Sequence, residues 1–358
     1  MKLPELRQAI DALDDELLRL LNERARLVTE VGTLKAQLKQ PFYVPERERQ
    51  ILERLAQANS GPFPTEALRP VFSEIISACL SLEHPLKVAF LGPEATFTHM
   101  AARTRFGLSA RYVPAATVAG VFAEVDKGTA DLGVVPIENS TEGVVNSTLD
   151  VLIDSELSIT AEIATEVSHC LLTRSGTLDG VQKVYSHPQA LAQCRHWLSS
   201  NLPNVAQIEV ASTALAARLT RDDQVAAAVA SELAGQLYDL KVARKKIEDE
   251  VRNVTRFLVI GREPAPATGR DKTSILFSLK DSAGVLFRVL QPLADAGLNL
   301  SRIESRPSRK KLWDYVFFID VDGHMVEPSV QSAIAALRSS CEFVKVLGSY
   351  PRAGMPEE

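Results

Sequence analysis

Residues Asp131–Asn146 read DLGVVPIENSTEGVVN. An apolar run, Leu132-Gly133-Val134-Val135, gives way after Pro136 to Glu138-Asn139-Ser140-Thr141-Glu142-Gly143, a cluster of hydroxyls, amides and two carboxylates with no basic side chain. The run reads as a buried strand. In open α/β sheets ligands sit beyond the carboxyl ends of strands, where a following helix offers free N–H groups. The stretch therefore predicts an α/β domain with a pocket for a small anionic or polyhydroxy ligand at this strand end. A capped turn uses the same residue types, so the neighbouring segments must decide between the two.

Outward from this stretch, strand-like runs recur at Val88–Leu91, His169–Leu172, Val181–Tyr185 and Phe257–Ile260, and helical spacing at Ala119–Lys127 and Pro188–Leu198. The alternation predicts parallel-rich sheets covered by helices. More strand ends carry polar clusters: Gly92-Pro93-Glu94-Ala95-Thr96-Phe97, Ser186-His187-Pro188-Gln189 and Asn253-Val254-Thr255-Arg256-Phe257. Each alone marks a turn. In this order, Gly-Pro-Glu-x-Thr-Phe, Glu-Asn-Ser-x-x-Gly, Ser-His-Pro-Gln-x-x-x-x-Cys and Thr-Arg-Phe resemble prephenate dehydratase, over residues 86–262. The resemblance implies two lobes similar to type II periplasmic binding proteins, with the site in the cleft between them. It implies that Thr255 donates to the departing ring hydroxyl and that Asn139, Ser186 and Gln189 hold the hydroxyl and carboxylates. Arg256 adds charge, and Glu138, Ser140 and His169 are further contacts. Ala95 departs from the family's commoner Gly.

Before this domain, Leu3, Leu6, Ile10, Leu13, Leu17, Leu20, Leu27, Val31, Leu34 and Leu38 follow a heptad seam. After Pro4 in its first turn no proline interrupts it before Pro41, which predicts one helix roughly 50 Å long at 1.5 Å per residue. A seam of that length needs a partner, most simply a second copy of the chain. One seam slot holds Arg24, and Lys35 shares its face three turns on. Burying unpaired cations is costly, so the pair predicts an anion site. Further helices are expected from Glu46 and over Thr65–Glu83. Residues 1–85 resemble the all-helical class of chorismate mutase, through Leu6-Arg7-x-x-Ile10-x-x-Leu13-Asp14, Glu23-Arg24, Val31-Gly32-x-x-Lys35 and Pro45-x-Arg47-Glu48. The resemblance implies that Arg24 and Arg47 hold substrate carboxylates and that Arg7 reaches in from a partner subunit. Lys35 and Glu48 contact the ether oxygen and hydroxyl, and Cys79 and Glu83 complete the site. Val44 stands where the family can have Asp, and Glu83 where many members have Gln. A carboxylate there opposes the charge that develops on the ether oxygen unless it is protonated.

Beyond the linker Gly261–Gly269, the runs Thr273–Leu279, Val285–Ala296, Asn299–Ser305, Leu312–Asp320, Val330–Leu337 and Phe343–Ser349 read β-α-β-β-α-β, the ferredoxin-like order. Gly284-Val285-Leu286 and Glu304-Ser305-Arg306-Pro307 resemble the effector segments of an ACT domain, over residues 271–352. This implies L-phenylalanine binding by Gly284, Val285, Leu286, Asn299, Glu304 and Ser305. Ala283 and Val285 depart from the commoner form.

The three resemblances in this order are those of the bifunctional chorismate mutase–prephenate dehydratase family, which implies conversion of chorismate to prephenate and then to phenylpyruvate. The rival reading is a non-catalytic amino-acid sensor with a binding-protein-like domain. Composition is that of an ordinary globular protein: 358 residues, 46% hydrophobic and 24% charged, with a formal charge of −5. No clustered basic excess suggests nucleic acid, and no apolar stretch suggests a signal segment or membrane span. Four scattered cysteines and six histidines without ligand spacing lead us to expect reduced thiols, a cytoplasmic enzyme, no metal and no organic cofactor. A homodimer or higher homo-oligomer is expected.

Overall fold

The leucine seam lies on one uninterrupted helix, α1 (Leu3–Leu38), followed by α2 (Pro45–Ala58), which starts on a proline at its first position, and α3 (Thr65–Glu83). The computed structural model describes residues 2–38, 43, 45–250, 253–279, 282–307 and 315–354. The chain divides into two units, residues 1–88 with 103–112 and residues 89–102 with 113–358.

In the first unit α1 and α2 both pack on α3. The contact with α1 is close because Gly32 has no side chain: a Cβ there would lie 2.8 Å from Cγ of Glu83. Gly32 is also the buried residue of α1. The seam itself stays open in the single chain, with Leu13 64% and Leu17 57% exposed. The segment 103–112 joins this unit through Ser77 Oγ, which donates to the Phe106 carbonyl (2.7 Å), and Glu74, which accepts from Leu108 N (2.9 Å).

The α/β elements begin with β1 (Lys87–Leu91), α4 (Phe97–Phe106) and β2 (Arg111–Ala115), each of which has residues in both units, and continue in the second unit with α5 (Val118–Asp126), β3 (Leu132–Asn139), β4 (Gly143–Val144), α6 (Asn146–Asp154) and β5 (Ser158–Glu166). A second lobe follows: β6 (Cys170–Thr173), β7 (Lys183–Ser186), α7 (Pro188–Gln193), α8 (Arg195–Asn201), β8 (Ala206–Glu209), α9 (Thr213–Arg221), β9 (Ala226–Ala230), α10 (Glu232–Leu237) and β10 (Lys241–Arg244). The chain then returns as β11 (Val254–Gly261), which inserts between β3 and β5 of the first lobe. The sheets run β2-β1-β3-β11-β5, with β4 on β3, and β10-β6-β9-β7-β8. The expectation of parallel-rich sheets is corrected here. Only the β7–β8 and β7–β9 pairs of the second sheet are parallel among its described pairings, and β11 is antiparallel to both neighbours because it re-enters from the other lobe. The helical run expected over Pro188–Leu198 is likewise two helices, broken at Cys194 (φ −112°, ψ 16°).

The last segment comprises β12 (Asp271–Ser278), α11 (Val285–Asp295), β13 (Leu300–Pro307), β14 (Tyr315–Asp322), α12 (Pro328–Ser340) and β15 (Phe343–Pro351). Its antiparallel sheet, β13-β14-β12-β15, matches the expected β-α-β-β-α-β order. One face packs on α11 and α12. Leu276, Val316, Phe318, Leu347 and Tyr350 instead join one core with Val135, Ile137, Leu149, Ile159, Leu258 and Ile260 of the first lobe. The C-terminal sheet and the first lobe thus share a single hydrophobic interior.

Candidate active sites

A cavity of about 320 Å³ opens where β3 ends and β11 begins, lined by both lobes of the second unit. Asn139 and Thr255 face each other there as directly paired residues of β3 and β11. Thr255 Oγ1 accepts a hydrogen bond from Asn139 Nδ2 at 2.7 Å. The amide orientation is fixed on both sides: Asn139 Oδ1 accepts from the backbone N–H groups of Thr141 and Glu142 (3.0 Å each), and Nδ2 also donates to Asn253 Oδ1 (2.6 Å). Thr255 Oγ1 therefore receives a donor, and its own hydroxyl proton has no acceptor among the described residues. The polar cluster after β3 is a turn that aims this amide.

His169 lines the same cavity and is 2% exposed. Burial holds its imidazole below the usual histidine range, with opposing contributions from Gln193 and Glu248. Its Nε2 lies 2.8 Å from Gln193 Oε1, which also accepts from Asn253 Nδ2 (3.2 Å), while Gln193 Nε2 donates to Glu142. Nε2 must then carry the proton, which leaves Nδ1 as a buried acceptor without a partner among the described residues. The N-termini of α4 and α9 also meet the cavity, through Thr96–Thr98 and Ser212–Thr213. No lysine or arginine is among the lining residues described, so an anion here would rest on helix N–H groups and hydroxyls.

The first unit holds a charged constellation of another kind. Arg24 is half-buried, and its Nη1 is buried without a hydrogen-bond partner among the described residues. Lys35 Nζ lies 3.3 Å from Glu83 Oε2, with the Glu83 side chain 6% exposed. Glu48 is buried and accepts from Arg105 Nη1 (2.8 Å) and from the Tyr43 hydroxyl (3.3 Å). Burial pushes the Tyr43 phenol up. Cys79 is buried, whereas Arg7 and Arg47 are exposed in the single chain.

The family models for chorismate mutase type II, prephenate dehydratase and the ACT domain match residues 6–84, 88–265 and 273–339. The bifunctional chorismate mutase/prephenate dehydratase of Aquifex aeolicus is 51% identical over 360 residues, 99% of each chain. This chain belongs to the bifunctional chorismate mutase/prephenate dehydratase family. Among solved structures, the prephenate dehydratase of Arthrobacter aurescens in complex with L-Phe is 36% identical, with a TM-score of 0.69, covering 75% of this chain and 90% of that one. A protein described as GqqA, a quorum quenching acylase, is 33% identical with the same TM-score, covering 74% of this chain and 98% of that one.

Of the residues expected from the dehydratase resemblance, Asn139, His169, Gln189 and Thr255 line the cavity. Glu138, Ser140, Ser186 and Arg256 do not. Ser186 Oγ is buried and donates to the Val229 carbonyl (2.7 Å), and Ser140 Oγ accepts from Val254 N (3.0 Å). Glu138 and Arg256 alternate with Asn139 and Thr255 along their strands and so point to the opposite face, where Arg256 Nε lies 3.1 Å from Glu138 Oε1. Sequence reasoning missed Gln193, Asn253, Thr96, Phe97 and Ser212 as lining residues. Asn253 sat inside a quoted cluster, and Ser212 carried an N-cap signal for α9.

In the C-terminal domain Gly284 takes φ +72° as the N-cap of α11, a left-handed conformation that favours glycine. Val285 and Leu286 pack on the domain core, and Asn299 Nδ2 donates to Asp322 (3.2 Å). Glu304 and Ser305 lie on β13, the edge strand, with Ser305 exposed. Val44, and the part of the expected strand Leu312–Asp320 before Tyr315, lie outside the described residues. Among the described residues no cluster of His, Cys, Asp or Glu could hold a metal ion, and no helix is long and apolar enough to cross a membrane.

Proposed function

We propose that this chain rearranges chorismate to prephenate in its helical unit and converts prephenate to phenylpyruvate in the cleft of its α/β unit. The observation that carries the second activity is the Asn139–Thr255 pair: a threonine hydroxyl that accepts from a fixed amide has its proton directed at the ligand. Prephenate loses its ring carboxylate as CO₂ while the electrons of that C–C bond aromatise the ring and expel the hydroxyl. Thr255 gives its proton to that leaving oxygen, so that water departs, and recovers a proton from solvent. The N-termini of α4 and α9 suit the two carboxylates, and the neutral His169 offers Nδ1 to a donor on the substrate. An acylase reading, as for the relative described above, would need a base on the nucleophile, and Thr255 Oγ1 has only an amide donor among the described residues.

The mutase step is an isomerisation and exchanges no proton. It needs a constrained conformer and a cation beside the ether oxygen. Arg24, whose Nη1 has no partner among the described residues, and Arg47 suit the carboxylates, Lys35 the ether oxygen, and Glu48 the hydroxyl. Cys79 and Glu83 wall the site, and Arg7 of a second copy completes it. The exposed leucine seam of α1 supports a homodimer. Phenylalanine binding at Gly284–Leu286, Asn299 and Glu304–Ser305 gives feedback inhibition, in a cytoplasmic biosynthetic enzyme. The deciding experiment is release of phenylpyruvate from chorismate by the purified protein without added cofactor. Chorismate left unchanged, or prephenate accumulating as the end product, would refute one step or the other.

A further inference from the structure

On the far side of the sheet from the cavity, the strands that carry Thr255 and Asn139 are bound to the C-terminal domain by ionic contacts. Arg256 Nη1 and Nη2 lie 2.9 and 3.0 Å from Asp320 Oδ2 of β14, and Nη1 lies 3.2 Å from Glu162 of β5. Glu138, beside Asn139, accepts the partner contact from Arg302 Nε of β13 at 3.0 Å. Lys272 of β12 reaches both oxygens of Glu162 at 3.2 and 3.1 Å. Asp320 is further held by Ser274 Oγ, which is within 2.7 Å of the Tyr350 hydroxyl. Three cations thus meet three carboxylates in a largely buried layer, and Arg256, Glu162 and Asp320 are 13%, 4% and 5% exposed at the side chain.

A layer of this kind is a poor source of stability, because taking the charges out of water offsets most of their attraction. Its arrangement has another use. Each member of the reacting pair has, as its immediate chain neighbour, a residue fixed from the other domain: Thr255 through Arg256 to Asp320, Asn139 through Glu138 to Arg302. The pairing of β11 with β5 is unbroken from Val254 to Val259, but its pairing with β3 slips by one residue directly after Arg256, so on the Asn139 side the ladder is interrupted beside the reacting pair. We propose that Arg256 is a positioning residue of the dehydratase site, and that the C-terminal domain, through Asp320, holds the Thr255–Asn139 pair in register for proton donation. The proposal rests on the assignment of Thr255 as donor made above.

The test uses the full-length chain with Arg256→Lys, Asp320→Asn and Thr255→Ala, assayed well below each variant's melting temperature. A lysine cannot span Asp320, Glu162 and Glu138 at once; the asparagine keeps one acceptor oxygen, replaces the other with an NH2 donor and loses the charge. For both we expect prephenate dehydration to fall about tenfold in kcat with KM within about twofold, as for a donor displaced by a fraction of an ångström. Mutase turnover in the same preparations should stay at wild-type level, and the thermal melt of each variant reports folding of the unit that carries the substitution. Unchanged kcat in both variants overturns the proposal, whatever happens to Tm, because it makes the layer merely structural. A rise in KM that accounts for the whole loss also overturns it, since that would place Arg256 in substrate binding. If Thr255→Ala itself dehydrates prephenate normally, the donor assignment falls, while a kcat loss in the other two still sustains the clamp.

Discussion

The described lining of the cleft in the second unit carries no lysine or arginine and draws its polarity from hydroxyls, amides, an imidazole and helix N-termini. The helical unit gathers Arg24, Lys35 and Arg47 and leaves two of these cations incompletely satisfied in one chain: Arg47 is exposed, and Arg24 has a buried nitrogen without a partner among the described residues. Both substrates are dicarboxylates, so the contrast lies in the chemistry. Dehydration needs a proton delivered to one oxygen, and a nearby fixed cation would lower the tendency of the ring carboxylate to leave as CO₂. The rearrangement has no leaving group, and cations can both pin the carboxylates and meet the charge on the ether oxygen. A further contrast follows from topology. The cleft is lined by residues of a single chain, while the mutase face offers an open leucine seam where a second chain would finish the wall.

The sharpest break of this comparison is reciprocal inactivation. Arg24→Ala should cost about 100-fold or more in mutase turnover by removing a charge-assisted carboxylate contact, with dehydration of added prephenate unchanged. Thr255→Ala should cost dehydration by a similar factor, about 100-fold or more, with chorismate still consumed and prephenate accumulating. Loss of both activities in either folded variant would mean the two sites are not separate. The self-sufficiency of the cleft has a limit that truncation exposes. Ending the chain after Gly261 would bare Leu258, Ile260 and Ile159, which share a core with Leu276, Phe318 and Tyr350. We expect an unstable, aggregation-prone protein, seen by size exclusion and thermal melting, instead of a dehydratase merely freed from phenylalanine control. A soluble, active and insensitive truncation would show that the shared core is dispensable.

The proposed dependence of the mutase on a second copy is probed in the seam. Leu17→Asp should raise the dimer dissociation constant by about tenfold or more and lower mutase activity at low protein concentration, while dehydration persists. Sedimentation alongside both assays would register a monomer that keeps full mutase activity as a contradiction. The smallest effect is expected at Glu83, whose carboxylate sits 3.3 Å from Lys35 Nζ. Glu83→Gln keeps a hydrogen-bonding group and removes the competing charge, so mutase kcat/KM near neutrality should rise, by up to about tenfold. A fall would assign Glu83 a part in orienting Lys35 that the amide cannot play.

The helical unit was legible because its signals are local: a 3,4 leucine spacing and a cation in a seam slot survive without knowledge of the fold. So was the order of elements in the C-terminal domain. The cleft was legible as a set of strand ends, and Asn139, His169, Gln189 and Thr255 could be named from their motifs. What the motifs could not separate was Thr255 from Arg256, or Asn139 from Glu138. A strand with one wet face announces its orientation by alternating polarity, but β11 is covered on both sides, with Phe257, Leu258, Val259 and Ile260 all buried. Alternation is then silent, and two adjacent polar residues look equally fit for a ligand. Arg105 was hidden for a different reason. It pairs with Glu48 across 57 positions of sequence, and no local pattern foretells such a partner.

The alternation along β11 has a consequence for how such a sequence can change. A single inserted or deleted residue ahead of Thr255 would turn the strand over locally, presenting a guanidinium to the substrate and burying a lone hydroxyl among three carboxylates. Both errors would arrive together, from one event. Substitutions can tune the hydroxyl and the guanidinium separately, whereas length changes in this strand are barred twice, once by chemistry and once by the domain beneath. The spacing of two neighbouring side chains is therefore a more rigid inheritance than the identity of either.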